Sequence, residues 1–214
     1  MGCDIHAAIE FRGSDGKWAA LMVPNKHFGR WDGEAEYTSR VDINRDYDLF
    51  AVLGNVRNGT GFAGCDMGDG FDSISDRRGV PEDISDAAKE ALSDEHSATW
   101  VTLAEILAFD WDRATKHRGW VSSTEFEKWD RMKEWNPAPK SYCGGGNFKK
   151  ITVEEMREAV ALKENLGHTC CQLEWEESYT ASTTQMWTRI LPKMLKLGCE
   201  HGFDNVRLVM DFDS

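Results

Sequence analysis

No run of about 18 apolar residues occurs in the 214-residue chain, so no segment is long enough to cross a bilayer as a helix. The opening Met1-Gly2-Cys3-Asp4-Ile5-His6 has neither the basic nor the apolar region of a secretion signal. Position six is His where an N-myristoylation pattern needs Ser or Thr. These absences lead to the expectation of a soluble, cytoplasmic protein. No two of the six cysteines (Cys3, Cys65, Cys143, Cys170, Cys171, Cys199) stand at C-x-x-C spacing, which argues against a zinc knuckle. In a chain without export signals they are expected as reduced thiols. Basic stretches are missing as well: 25 Lys+Arg against 37 Asp+Glu give a net charge of -12, a poor footprint for a nucleic-acid duplex. Neither G-x-G-x-x-G between a strand and a helix nor a G-x-x-x-x-G-K-[ST] loop is found, so an ordinary NTP-binding fold is not supported. Repeats and low-complexity tracts are also missing.

What is present describes a folded domain. Hydrophobic residues make up 41% of the chain, and nine Trp are incompatible with an acidic disordered segment. Length and composition predict a single globular domain over residues 1–214. Residues 3 to 12 alternate with period two: Cys3, Ile5, Ala7, Ile9 and Phe11 on one face, Asp4, His6, Ala8, Glu10 and Arg12 on the other. Turn residues Gly13 to Gly16 then predict a hairpin with residues 17 to 23, and residues 24 to 43 read as loop.

Helical period begins near Asn44, with Tyr47, Phe50, Ala51 and Leu53 as a stripe and Asn44 or Asp46 as the cap. Asn58 to Gly70 holds five glycines in thirteen residues and is expected as a flexible loop. Further helices are predicted from Ser85 to about Asp94, after the capping box Thr102 to Glu105, over 122 to 135, and after the capping box Thr152 to Glu155. A last helix is expected over 182 to 197, kinked at Pro192 and closed by Gly198. Strands are expected at Cys171–Tyr179 and Val206–Phe212, and Ser141 to Asn147, with three glycines in a row, reads as a second mobile segment. The fold class is α+β: a small, mostly antiparallel sheet made from the N- and C-terminal strands, with helices inserted between them.

Candidate chemistry concentrates on the terminal strands. Asp4, His6 and Glu10 share one strand face, with Asp4 and His6 roughly 7 Å apart, and Arg207, Asp211 and Asp213 share a face of the last strand. Pairing of these strands would gather carboxylates around an imidazole. Asp4, His6 and Asp213 would suit Mg²⁺, Mn²⁺ or Zn²⁺, and the same groups without metal would serve as a general acid/base pair. The competing reading is a solvated strand face in an acidic chain. Arg45 and Arg57 bracket the helix that carries Tyr47, and Arg57 leads into the glycine-rich loop; guanidinium forks there are candidates for holding a phosphate or carboxylate, or for internal ion pairs. Arg78 presents the same choice. His96, placed in a loop between two helices, is a further acid/base candidate, and Trp100 stands among the tryptophans that offer a stacking surface.

The opening Met1 to His6 with Glu10, the stretch Arg45 to Ala51, Arg57, Arg78 to Asp83, His96 to Glu105 and the closing Val206 to Asp213 together resemble a family of uncharacterised bacteriophage and prophage proteins. The family tends to end in F-W-F-D-N where this chain has Met210-Asp211-Phe212-Asp213-Ser214, so Asp211 is particular to this chain. The resemblance implies a phage origin and residence in the host cytoplasm, and no reaction. The expected partner is a small anionic ligand or a host protein. Three functions are open: a pocket for a small phosphorylated or nucleotide-like compound that acts as a metal-assisted phosphoester hydrolase, a non-catalytic module that sequesters a host defence signal, and an acidic inhibitor of a host protein.

Overall fold

The alternation of the first residues is realised in a computed structural model that describes residues 3–61, 64–93, 96–132, 136–137 and 148–213. In chain order the strands are β1 (Ile5–Arg12), β2 (Trp18–Ala20), β3 (Val23–Pro24), β4 (Tyr37–Thr38), β5 (His96–Thr102), β6 (Ala114–Ser122), β7 (Lys149–Ile151), β8 (Thr169–Ser178) and β9 (Val206–Phe212). The helices are α1 (Tyr47–Gly54), α2 (Asp86–Ala91), α3 (Leu103–Ala108), α4 (Ser123–Arg131), α5 (Val153–Ala161), α6 (Tyr179–Ser182) and α7 (Leu191–His201). One sheet has the order β2-β1-β9-β5, all antiparallel, and a second has the order β6-β8-β7, with β7 parallel to β8.

The two terminal strands pair from Ile5 opposite Phe212 to Phe11 opposite Val206. Ile5, Ala7 and Ile9 of β1 and Leu208, Met210 and Phe212 of β9 face the main core. Against them lies α1, whose residues Leu49 to Gly54 are all buried. A helix apolar on every side belongs inside the protein, and the stripe expected from the sequence widens here to the whole circumference. Asp46 caps it by accepting the Leu49 N–H at 3.1 Å. At its other end a Cβ on Gly54 would stand 3.0 Å from the Phe212 ring, so glycine sets how closely α1 approaches β9.

The opposite face of the sheet is buried too, which corrects the expectation of a solvated polar face. Ala8 packs with Ala88 and Ala91 of α2, and Glu10, Arg207 and Asp211 have almost no exposure. Charges taken from water require close partners. The Glu10 carboxylate accepts from Arg207 Nε at 2.8 Å and from the Ser85 N–H at 2.8 Å. Arg207 Nη1 reaches Asp83 at 2.7 Å, and the guanidinium lies 3.9 Å from the Trp18 ring centre and 5.7 Å from that of Trp100.

The second sheet surrounds a smaller core of Val121, Phe126, Met156, Cys171 and Leu173. Strands β5, β6 and β7 were not anticipated, because short apolar runs interrupted by charges carry little periodicity. His96 therefore lies in β5 opposite Phe212, not in a loop. The segment expected as loop over 24–43 contains the short β3–β4 pair. The described part of the glycine-rich stretch is pinned rather than flexible: Asn58 bonds Phe71 on both backbone groups, and Gly68 bridges to His117 with a Cβ position 2.0 Å from the Lys116 carbonyl. Its φ of +120° also requires glycine. Near the C-terminus the helix expected around Pro192 is interrupted there: a π-helical turn over Met186–Ile190 runs directly into α7, and Pro192 stands at that junction, where its missing N–H is tolerated. Gly198 is inside that helix because only a hydrogen fits beside Phe203 and Leu103, and Gly202 closes it. The expected mobile segment Ser141–Asn147 lies outside the described residues. Cys3, Cys65, Cys171 and Cys199 are free thiols, and burial raises Cys171 to about 11.

Two stability measurements follow from this burial. Glu10→Gln leaves buried Arg207 with the half-exposed Asp83 as its remaining carboxylate partner and is expected to cost about 3 kcal/mol, a fall in melting temperature of roughly 6–12 °C for a chain of this size. Asp48, at the start of α1, has its carboxyl raised to about 7 by burial first and then by Asp46 and Glu177. Between the ordinary value of 3.8 and about 7 the folded chain holds a proton that the unfolded chain releases, so the destabilisation grows as pH rises through that window and is complete above it. Asp48→Asn is therefore expected to stabilise the protein by roughly 2 kcal/mol at pH 8 and by almost nothing at pH 4 in urea unfolding; an equal effect at both pH values refutes this account.

Candidate functional site

A cleft of about 880 Å³ opens beside the end of the main sheet where β1 begins and β9 ends. Asp4 and Ile5 form its floor, residues 22–27 and 34–45 its walls, and Ala87, Glu90 and Ala91 of α2 close one side. The wall is held to the sheet by its backbone: the Val41 N–H donates to the Ala7 carbonyl at 2.8 Å, and Arg40 bridges Ala8. Val41 is buried while Arg40 and Asp42 point outward, an alternation that positions Arg40 at the cleft.

Strand pairing places Asp4 next to Asp213. The Asp4 N–H donates to Asp213 Oδ1 at 2.8 Å, and the Asp213 N–H returns a bond to the Asp4 carbonyl at 3.1 Å. His6 Nε2 lies 3.0 Å from Asp213 Oδ2, and the Arg40 Nη2 lies 3.4 Å from the same imidazole nitrogen. The His6 side chain is 12% exposed and that of Asp213 30% exposed, so the pair stands just behind the cleft wall. The hydrogen bond from His6, then the Asp4 N–H and the charges of His6 and Arg40, hold the Asp213 carboxyl below its ordinary range. Asp4 turns its side chain to Arg45 in a two-point fork, Nε to Oδ1 at 2.8 Å and Nη2 to Oδ2 at 2.9 Å. The fork fixes the plane of the guanidinium and leaves Nη1 for another partner.

Four of the residues singled out from the sequence thus come together: Asp4, His6, Arg45 and Asp213. Arg40 joins them and was missed; its signal was the polar–apolar alternation from Arg40 to Ile43, hidden inside a stretch read as loop. The others are placed elsewhere. Glu10 is enclosed with Arg207. Tyr47 accepts the Cys3 N–H at 3.3 Å, and Arg57 stands at the Cys3 thiol, whose pKa burial raises while Arg57 opposes the rise. Both line a separate, much smaller cavity of about 10 Å³ with Asp48 and His117. Arg78 is tied to both Glu105 carboxylate oxygens and lies over Trp100 at 4.7 Å. His96 bonds Ser97 at 2.9 Å and stacks on Phe212 with 6.4 Å between ring centres.

Among the described residues no three His, Cys, Asp or Glu side chains are grouped to hold a metal ion. The set expected from sequence, Asp4 with His6 and Asp213, would require Asp4 to leave Arg45. Among the described residues, no helix is long and apolar enough to cross a membrane. No protein-family model, curated protein or solved structure matches the chain, so the likeness to phage proteins rests on the sequence motifs alone.

Because the Asp213 carboxyl is held below its ordinary range, its contribution to stability is present above the unfolded value of 3.8 and is lost as pH falls through the folded value. Asp213→Asn is expected to cost about 1 kcal/mol at pH 7, and its unfolding curve should converge with that of the unmodified protein as the pH falls below the ordinary carboxylate range. A constant difference across that range overturns the pairing.

Proposed function

We propose that the cleft binds a small phosphorylated ligand, with its phosphate held between Arg40 and Arg45. The observation that carries this reading is the anchoring of Arg45 from behind by the Asp4 fork, with Arg40 in the same lining, attracted by the Asp213 carboxylate across the His6 imidazole. Preset guanidiniums recognise the oxygens of a phosphate with little further loss of side-chain freedom. The volume of about 880 Å³ is in the range of small-molecule sites. A dispersed acidic surface elsewhere repels polyanions, so a small anion that reaches the cleft is favoured over a nucleic-acid backbone.

His6 favours a second reading on the same ligand. An imidazole bonded to a carboxylate at 3.0 Å is oriented for proton transfer, and hydrolysis of a phosphoester would use it as general acid or base. Without turnover, the same cleft would serve to sequester its ligand. A bound Mg²⁺, Mn²⁺ or Zn²⁺ would alter this chemistry by supplying a Lewis acid, at the expense of the Asp4–Arg45 fork.

Calorimetric titration with ribose 5-phosphate should detect binding that Arg40→Ala and Arg45→Ala each weaken at least about tenfold, and that declines with added salt. Unchanged affinity in both variants refutes the phosphate site. Release of inorganic phosphate from phosphoesters, lost in His6→Gln with binding retained, would establish hydrolysis; binding without release establishes sequestration. Repeating the assay with millimolar Mn²⁺, Mg²⁺ or Zn²⁺ separates metal-assisted from metal-free turnover.

A further inference from the structure

Four large apolar side chains, Met22 (49% exposed), Phe28 (56%), Trp31 (61%) and Tyr37 (51%), stand in solvent between residues 22 and 37; Met22 and Tyr37 line the cleft, and Phe28 and Trp31 belong to the stretch between its two walls. The other described tryptophans are engaged with partners, as Trp18 and Trp100 are with Arg207, and Trp111 is with Trp187. Trp31 is the described tryptophan left most exposed, and its ring stacks on His27 with 5.3 Å between centres. His27 and Tyr37 both line the cleft, and Tyr37 is carried on β4 opposite Pro24 of β3. His27 Nδ1 is buried without a hydrogen-bond partner among the described residues, a costly state for a polar atom. The Tyr37 ring, the His27 ring backed by Trp31, and two guanidiniums therefore border one cavity.

Resting on the phosphate-binding reading above, we infer that the cleft recognises a nucleoside phosphate, with the base seated on the rim formed by Tyr37 and by His27 backed by Trp31. A purely apolar partner would leave Arg40 and Arg45 desolvated without an anion, and a simple sugar phosphate would leave the aromatic faces uncovered. A nucleoside phosphate covers both: stacking on aromatic rings accepts any base, because every base has a π face. The Glu90 carboxylate, also in the lining, is an acceptor suited to ribose hydroxyls.

Titration calorimetry on the full chain with adenosine 5′-monophosphate, uridine 5′-monophosphate and ribose 5-phosphate tests this. The nucleotides should bind at least roughly tenfold more tightly than ribose 5-phosphate. Tyr37→Ala and Trp31→Ala, both at exposed positions, should remove that advantage while changing ribose 5-phosphate affinity less than about twofold. Equal affinity for the nucleotides and ribose 5-phosphate overturns the inference and leaves the phosphate site standing, as does a nucleotide advantage that survives both variants. Failure of all three ligands to bind overturns the inference together with the phosphate reading.

Discussion

The antiparallel pairing of β1 with β9 is the contact on which the rest of the molecule depends. It joins residues 209 positions apart through the Asp4–Asp213 bonds, and it places β9 in the middle of the main sheet, between β1 and β5. Every residue of β9 is buried. The cost of closing so long a loop grows only logarithmically with its length, so two buried strand faces are enough to offset it. The same ladder sets the register of the chemistry. With Ile5 opposite Phe212, the next positions outward are Asp4 and Asp213, beyond the last pair, where side chains reach solvent and the cleft. A shift of one residue would exchange the faces and bury these carboxylates in the apolar core.

Burial of both sheet faces divides the acidic residues into two populations. Glu10 is removed from water and answered by Arg207 and the Ser85 N–H, a layer that specifies how α2 and the loop before it sit on the sheet. Asp4 and Asp213 remain half in water and are answered by groups that still have hydrogens to offer, Arg45 and, through His6, Arg40. The first population is saturated and structural. The second keeps unused bonding capacity at a concave surface, which is what separates a site from an ion pair.

Much of this was legible in the sequence. Period-two alternation in residues 3–12 and 206–212 disclosed the terminal strands, capping residues Ser85, Thr102 and Thr152 located three helix starts, and Asp46 was one of two candidates for a fourth. The convergence of Asp4, His6 and Asp213 followed from the strands only on the condition that they pair, and that pairing supplies it; Arg45 was marked by its place before the helix. What was hidden depended on tertiary contacts. No local pattern shows that α2 covers the polar face of β1, so Glu10 looked like His6 although one is fully enclosed and the other stands just behind the cleft wall. Arg57 and Arg78 resembled Arg45 in composition; their partners, Cys3 and Glu105, are set by packing. Glycines suggested mobility in the stretch after α1, whereas Gly68 is there because the β6 backbone passes too close for any side chain.

The central position of β9 also governs how the protein comes off the ribosome. Strands β1, β2 and β5 are synthesised long before the strand that joins β1 to β5. Until residue 212 has emerged, β1 has only the three-residue β2 as a sheet neighbour, and an isolated hairpin is marginal in water. The nascent chain therefore carries two unmatched strand edges and the apolar stretch Leu49 to Gly54 of α1 until β9 emerges, surfaces that chaperones bind. Its main sheet closes only when the last strand takes its place between the two that flank it.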